Sequence, residues 1–114
     1  MSDNIVYINA DEGINRVMNN YMLYCRLLTK FKTDPNLNEI ENALAEGDLE
    51  RARNVTHALK GVTANLSLAE LNKQVTELEA QIKAGSVNAD QLALVKDIHA
   101  KTLIEADKVI TKYV

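Results

Sequence analysis

The stretch GDLERARNVTHALKGVTANL, residues 47–66, decides how this chain is read, because it holds a helix start, a one-sided apolar pattern and a reactive imidazole together. Gly47 can take the left-handed conformation that ends a preceding helix, and Asp48 can cap the next one. Ala52, Val55, Leu59, Val62 and Leu66 recur at steps of three and four, which predicts a helix from 48 to 65 with one buried face. At about 100° per residue, His57 falls opposite the centre of that face and is expected to be exposed. Glu50, Arg53, Asn54, Gly61 and Ala64 surround it on the outer face, with Lys60 at the flank. Glycine inside an exposed helix costs about 1 kcal/mol relative to alanine, so Gly61 needs a reason. With Ala64 it keeps the surface beside the imidazole flat, so that another protein can approach closely.

Outward from this stretch, caps divide the rest of the chain. Asp34-Pro35 reads as an N-cap followed by proline at the first helical position, opening a helix over 35–46 with Leu37, Ile40 and Leu44 on one face. Ser67-Leu68-Ala69-Glu70 has the form of a capping box, so a fresh helix is expected from about residue 68. Its Leu68, Leu71, Val75, Leu78 and Ile82 form a stripe, and Gly85 ends it. Asn88, followed by Gln91, starts a last helix with Leu92, Val95, Thr102, Leu103, Ala106, Ile110 and Tyr113 facing inward. Upstream, Tyr21, Tyr24, Leu28 and Phe31 mark another helix behind Asn20, and a shorter one spans Asp11 to Val17.

Five or six helices joined by loops of two to five residues predict an all-α, antiparallel up-and-down bundle, with the first helices packed across or beside it. The four glycines, one proline and 4% aromatics leave little from which to build sheets. At 114 residues the chain is one domain, 1–114, and its 46% hydrophobic and 25% charged residues argue against disorder.

A net charge of -3 without a basic block points away from nucleic acid and toward a protein partner. Met1-Ser2-Asp3-Asn4 lacks a signal-peptide layout, and no apolar run approaches the ~20 residues of a membrane span, so a cytoplasmic protein is expected. The single cysteine, Cys25, excludes an intramolecular disulfide and reads as a small buried hydrophobe. His99 projects onto the apolar stripe of the last helix and is expected to be a core or boundary residue with a satisfied hydrogen bond. The two histidines are not at a metal-ligand spacing. The carboxylates Glu77 and Glu79, and Glu39 and Glu41, read as solvated helix faces.

An exposed neutral imidazole offers a lone pair to activated phosphorus, and Lys60 can supply charge near a transferring phosphoryl group. There is no G-x-x-x-x-G-K-[ST] loop, no other nucleotide-binding pattern and no acidic cluster for Mg²⁺. A histidine that receives and returns a phosphoryl group, with metal and acids supplied by partners, fits those absences. His57-Ala58-Leu59-Lys60-Gly61 continuing to Ala64-Asn65-Leu66, preceded by Gly47-Asp48 and Ala52-Arg53, resembles the histidine-containing phosphotransfer (HPt) domains of phosphorelays. Asp11 to Arg16, then Asn20, Tyr24, Leu27, Leu28 and Phe31, look like that family's opening helices, and Leu71, Leu78 and Glu79 like its post-histidine helix.

The resemblance implies an antiparallel four-helix bundle with accessory N-terminal helix, and a phosphocarrier rather than an enzyme. His57 would be phosphorylated on a ring nitrogen and exchange the group with an aspartate of response-regulator receiver domains, fed by a hybrid sensor kinase. Lys60 would contact the phosphoryl group and Gly61 would admit the partner, with Arg53, Asn54 and Ala64 in the docking surface and Ile14, Met18 or Met22 adding apolar contact. The protein would be a monomer without a cofactor of its own, with Mg²⁺ in the receiver. One departure is Ser67, where the family often has glycine; the capping box is expected to replace that turn. The competing reading is a helical adaptor that binds a receiver or kinase without being phosphorylated. A third is the phosphoacceptor domain of a chemotaxis-type kinase, against which Tyr113-Val114, directly after the last helix, suggests a self-contained protein.

Overall fold

A computed structural model describes residues 5–113. Met1-Ser2-Asp3-Asn4 and Val114, on which the readings of the two termini rested, lie outside the described residues. Among the described residues six helices follow one another: α1 Ala10–Arg16, α2 Tyr21–Phe31, α3 Asn36–Ala45, α4 Leu49–Asn65, α5 Ala69–Ala84 and α6 Ala89–Tyr113. Asn9, Asn20 and Asp48 each accept the N–H three residues on, at 3.2, 3.0 and 3.1 Å, and so start α1, α2 and α4. Asp34 works through Asn36 instead, accepting its N–H at 2.8 Å, and α3 begins one residue later than expected. Gly47 and Gly85 both have φ +74. The bonds Asp48 N–H to Ala43 O (2.9 Å) and Ser86 N–H to Gln81 O (3.1 Å) close the helix ends around them.

These helices make a four-cornered bundle in which α4, α5 and α6 take one corner each and α2 and α3 share the fourth, end to end. The Tyr24 hydroxyl donates to Leu66 O at 2.7 Å, setting the start of α2 against the end of α4. Arg51 pairs with Glu39 at 2.9 Å and Glu46 at 3.1 Å, setting the end of α3 against the start of α4. The 25-residue α6, about 37 Å long, passes both in turn. Lys96 reaches Glu41 of α3 at 2.9 Å, His99 lies against Phe31, Asp107 pairs with Lys32, and Tyr113 meets Tyr21 with ring centroids 5.6 Å apart. Leu28, Ile40, Leu68, Leu71, Val75, Leu78 and Val95 fill the centre with no exposed surface.

Three local readings of the sequence are corrected. The buried face of α4 runs along Ala52, Thr56, Leu59, Thr63 and Leu66, while Val55 and Val62 are only half-buried. The Thr56 and Thr63 hydroxyls donate to the carbonyls of Ala52 (2.6 Å) and Leu59 (3.0 Å), four residues back, so neither is buried without a partner. In α6, Ile98 belongs to the inward stripe, which the sequence pattern had passed over.

The third correction is the α4–α5 turn. No capping box forms: Leu68 holds the N-cap position of α5 without a side-chain bond, and Ser67 itself takes the left-handed conformation, φ +57. Leu68 N–H bonds Thr63 O at 2.9 Å, closing the turn as a glycine would. The Ser67 hydroxyl is drawn to α1, donating to Glu12 at 2.7 Å, and Asn9 N–H binds Ser67 O at 2.9 Å. Hydrogen bonds from Ser67 and Arg16 hold the Glu12 carboxyl below its ordinary pKa. A conformation that non-glycine residues resist is therefore offset by bonds that fasten α1 to the bundle.

Gly13 is the other fastening point. A Cβ there would stand 2.3 Å from Tyr24 Cε1 and 2.8 Å from its hydroxyl oxygen. The Tyr24 ring is fully buried and tied to Leu66, so it has nowhere to go.

Gly13→Ala is expected to lower stability in urea unfolding by about 1–3 kcal/mol. Gly61→Ala, where an added Cβ meets nothing within 4 Å, should raise it by up to about 1 kcal/mol. Ser67→Ala keeps the strained backbone and loses the Glu12 bond, so its urea midpoint should fall below that of Ser67→Gly, which removes the strain.

Candidate functional site

His57 projects from the middle of α4, with 71% of its side chain exposed. His99 is half-buried in α6, as the helical projection predicted, with its ring centroid 5.6 Å from that of Phe31. The hydrogen bond expected at His99 is not formed among the described residues. Burial pushes its pKa down against the opposing charge of Asp34, so it stays a neutral packing ring. Cys25 is buried, and burial raises its thiol pKa, which makes it a poor nucleophile.

The residue that organises the site is Glu79 of α5, which the sequence reading had placed on a solvated face. Its side chain is only 4% exposed. Oε2 lies 2.9 Å from His57 Nδ1, Oε1 lies 2.8 Å from Lys60 Nζ, and Lys83 Nζ stands 4.0 Å from Oε2. Packing of α4 on α5 builds the cluster: His57 and Lys60 lie one turn apart on α4, and Glu79 and Lys83 one turn apart on α5. On a helical projection Glu79 falls about 60° from the centre of the α5 apolar stripe, at its edge. Glu77 lies on the far side and is exposed. That angular difference was the available signal.

Burial pushes the Glu79 carboxyl up. Hydrogen bonds from Lys60 and His57 and the charges of Lys60 and Lys83 outweigh it, so the net shift is below the ordinary carboxylate value. An ionised carboxylate only accepts hydrogen bonds. The ring nitrogen facing it must therefore carry the proton, and we assign Nδ1–H as donor to Glu79. In the neutral ring this leaves the lone pair on Nε2, turned away from Glu79.

His57 separates two shallow depressions. One, of about 290 Å³, is lined by Arg53, Asn54, His57, Glu79 and Lys83. The other, of about 330 Å³, runs past Lys60, Gly61, Ala64, Asn72 and Thr76. Asn72 donates to Lys60 O at 2.9 Å and Thr63 Oγ1 at 3.0 Å, and so fixes the end of α5 nearest Gly61 to α4. Arg53, Asn54, Gly61 and Ala64 are all exposed around the imidazole, where the sequence put them. Neither Asn72 nor Lys83 was anticipated.

Among the apolar residues expected at the surface, Met18 and Met22 are 90% and 57% exposed, whereas Ile14 is buried at 9% and packs in the core. Glu39 and Glu41 are tied to Arg51 and Lys96 rather than simply solvated. Among the described residues no group of three or more His, Cys, Asp or Glu could hold a metal ion, and no helix is long and apolar enough to cross a membrane.

Because the folded-state pKa of Glu79 is depressed, its contribution to stability is complete above the ordinary value of 4.5 and is lost as pH falls through the folded value. Glu79→Gln is expected to cost about 1–3 kcal/mol at pH 7. The gap between the two proteins should narrow below pH 4.5, checked by urea unfolding at pH 7 and pH 3.

A family model described as the Hpt domain matches residues 27–106, from the second turn of α2 to well into α6, with the His57–Glu79–Lys60 cluster inside it. No curated protein and no solved structure gives a significant match. The matched span covers well over half of the chain and includes both helices that build the site, α4 and α5. The chain belongs to the Hpt domain family, the phosphocarriers that work with the kinases and receivers of two-component signalling.

Proposed function

We propose that His57 relays a phosphoryl group between aspartates of response-regulator receiver domains downstream of a hybrid sensor kinase, accepting it on Nε2. The observation that carries this reading is the 2.9 Å contact of Nδ1 with the buried Glu79, which leaves Nε2 as the outward nucleophile. Nε2 attacks the aspartyl phosphate in line. The N–P bond forms as the P–O bond to the aspartate breaks, and the bonding pair leaves on the aspartate as carboxylate. The imidazole keeps its Nδ1 proton, and the positive charge it gains faces the Glu79 carboxylate. Return of the group reverses each change.

Lys60 holds Glu79 ionised and in place, and its charge reaches the phosphoryl group through that pair. Arg53, Asn54, Gly61 and Ala64 form the surface on which the receiver lands, with Met18 and Met22 adding apolar contact. The Mg²⁺ that neutralises charge in such transfers would be held by the receiver's acids. The protein acts as a monomer in the cytoplasm. An adaptor that only binds receivers needs the flat surface but has no use for a proton fixed on Nδ1, and so accounts for less of the site.

Incubation with a radiolabelled, phosphorylated receiver domain is expected to place acid-labile, base-stable phosphate on this chain and none on the His57→Gln variant. Label persisting on that variant rejects the site. A receiver that binds wild type and His57→Ala equally, with no phosphohistidine under any donor, supports the adaptor.

A further inference from the structure

We propose that Lys83, with Arg53 beside it, is the cation that receives the phosphoryl group on His57, while Lys60 acts on that group only through Glu79. The inference rests on the transfer reading above and assigns the charges within it. Lys60 Nζ is bound to Glu79 at 2.8 Å, and the carboxylate it holds is 4% exposed. Turning Lys60 toward a phosphoryl group would strip a buried charge of its closest counter-ion, a costly exchange. Lys83 carries no such obligation: its ammonium stands 4.0 Å from Oε2, beyond hydrogen-bond range, and its side chain is 55% exposed. It can leave Glu79 without breaking a bond.

Position points the same way. Lys83 shares with His57, Arg53, Asn54 and Glu79 the depression on one side of the imidazole. The Lys60 side is bordered by Gly61, Ala64, Asn72 and Thr76, which bring no further charge. Arg53 makes no ion pair among the described residues. Glu50 shares a neighbouring depression with Arg53 and Lys83 but pairs with neither. Around His57, then, Lys60 is the hydrogen-bonded counter-ion of Glu79, Lys83 faces the same carboxylate only at 4.0 Å, and Arg53 has no acidic partner among the described residues. A phosphoryl group of charge about -2 is the anion that would neutralise Lys83 and Arg53. Lys60 is a positioning residue, and Lys83 is the phosphoryl-binding one.

Phosphoramidate, which gives up its phosphoryl group with loss of ammonia, separates this chemistry from partner docking. With phosphoramidate as donor, Lys83→Ala is expected to phosphorylate His57 about tenfold more slowly than wild type, and Lys83→Arg should recover most of the rate. On the phosphorylated proteins, ³¹P NMR titration should place the phosphoryl protonation midpoint about half a pH unit higher in Lys83→Ala than in wild type. Lys60→Ala, which acts on the group only through Glu79, should raise that midpoint by less than Lys83→Ala does and should disturb the His57 tautomer, read by ¹⁵N NMR of the ring. Wild-type rate and midpoint in Lys83→Ala, or a larger midpoint change in Lys60→Ala, overturns the assignment while leaving the transfer reading intact. A wild-type chain that takes no label on His57 from phosphoramidate or any phosphorylated receiver overturns both.

Discussion

A carboxylate removed from water must be paired on every side that water has left, and Glu79 sets that demand on the rest of the molecule. Its two oxygens are shared between His57 and Lys60 of the neighbouring helix. Sliding α5 along α4 by a single turn, about 5.4 Å, would carry Glu79 away from both and leave a buried charge without its partners. The register of the two helices is thus constrained by a polar contact as well as by the packing of Leu59, Leu71, Val75 and Leu78. The same contact sets the proton on the imidazole. Structural and chemical constraint meet in one side chain, and neither can be relaxed without the other.

That register has to be delivered by the turn between the helices, where the chain uses a serine in a conformation suited to glycine. Ser67 is held at φ +57 by what its hydroxyl and carbonyl bind on α1. A seven-residue helix has too few internal bonds to persist alone. α1 and the turn therefore stabilise each other, with Gly13 giving the close approach to Tyr24 that brings Glu12 within reach of Ser67. Strain in the turn and weakness in the helix are two sides of one contact.

What the sequence made legible follows from the range of the forces involved. Caps at Asn20, Asp48, Gly47 and Gly85 act within a few residues, so the helices could be placed to within a residue or two. The outward His57 and inward His99 follow from helical geometry alone. Thr56 and Thr63 escaped because a polar residue is counted against burial, although their hydroxyls are satisfied within their own helix. Ser67 and Glu79 escaped for a different reason: their partners lie 55 and 22 residues away in the chain. Ser67 followed by Glu70 satisfied a local rule, and a stronger distant bond took the hydroxyl instead.

A phosphocarrier has to hold its cargo and also surrender it, so the charges near the acceptor nitrogen should oppose one another. On the proposed transfer, Glu79 would raise the nucleophilicity of the ring by holding Nδ1–H, and once a phosphoryl group is attached the same negative charge would repel it. Cations must offset that repulsion without holding the anion irreversibly. An exposed lysine on a mobile stem, 55% accessible to water, offers a screened and adjustable attraction, whereas a buried one would bind tightly. The difference in burial between Lys60 and Lys83 therefore matters as much as their shared sign. On the assignment proposed above, the deeper lysine would keep the carboxylate in place, and the shallower one would leave the phosphoryl group free to go.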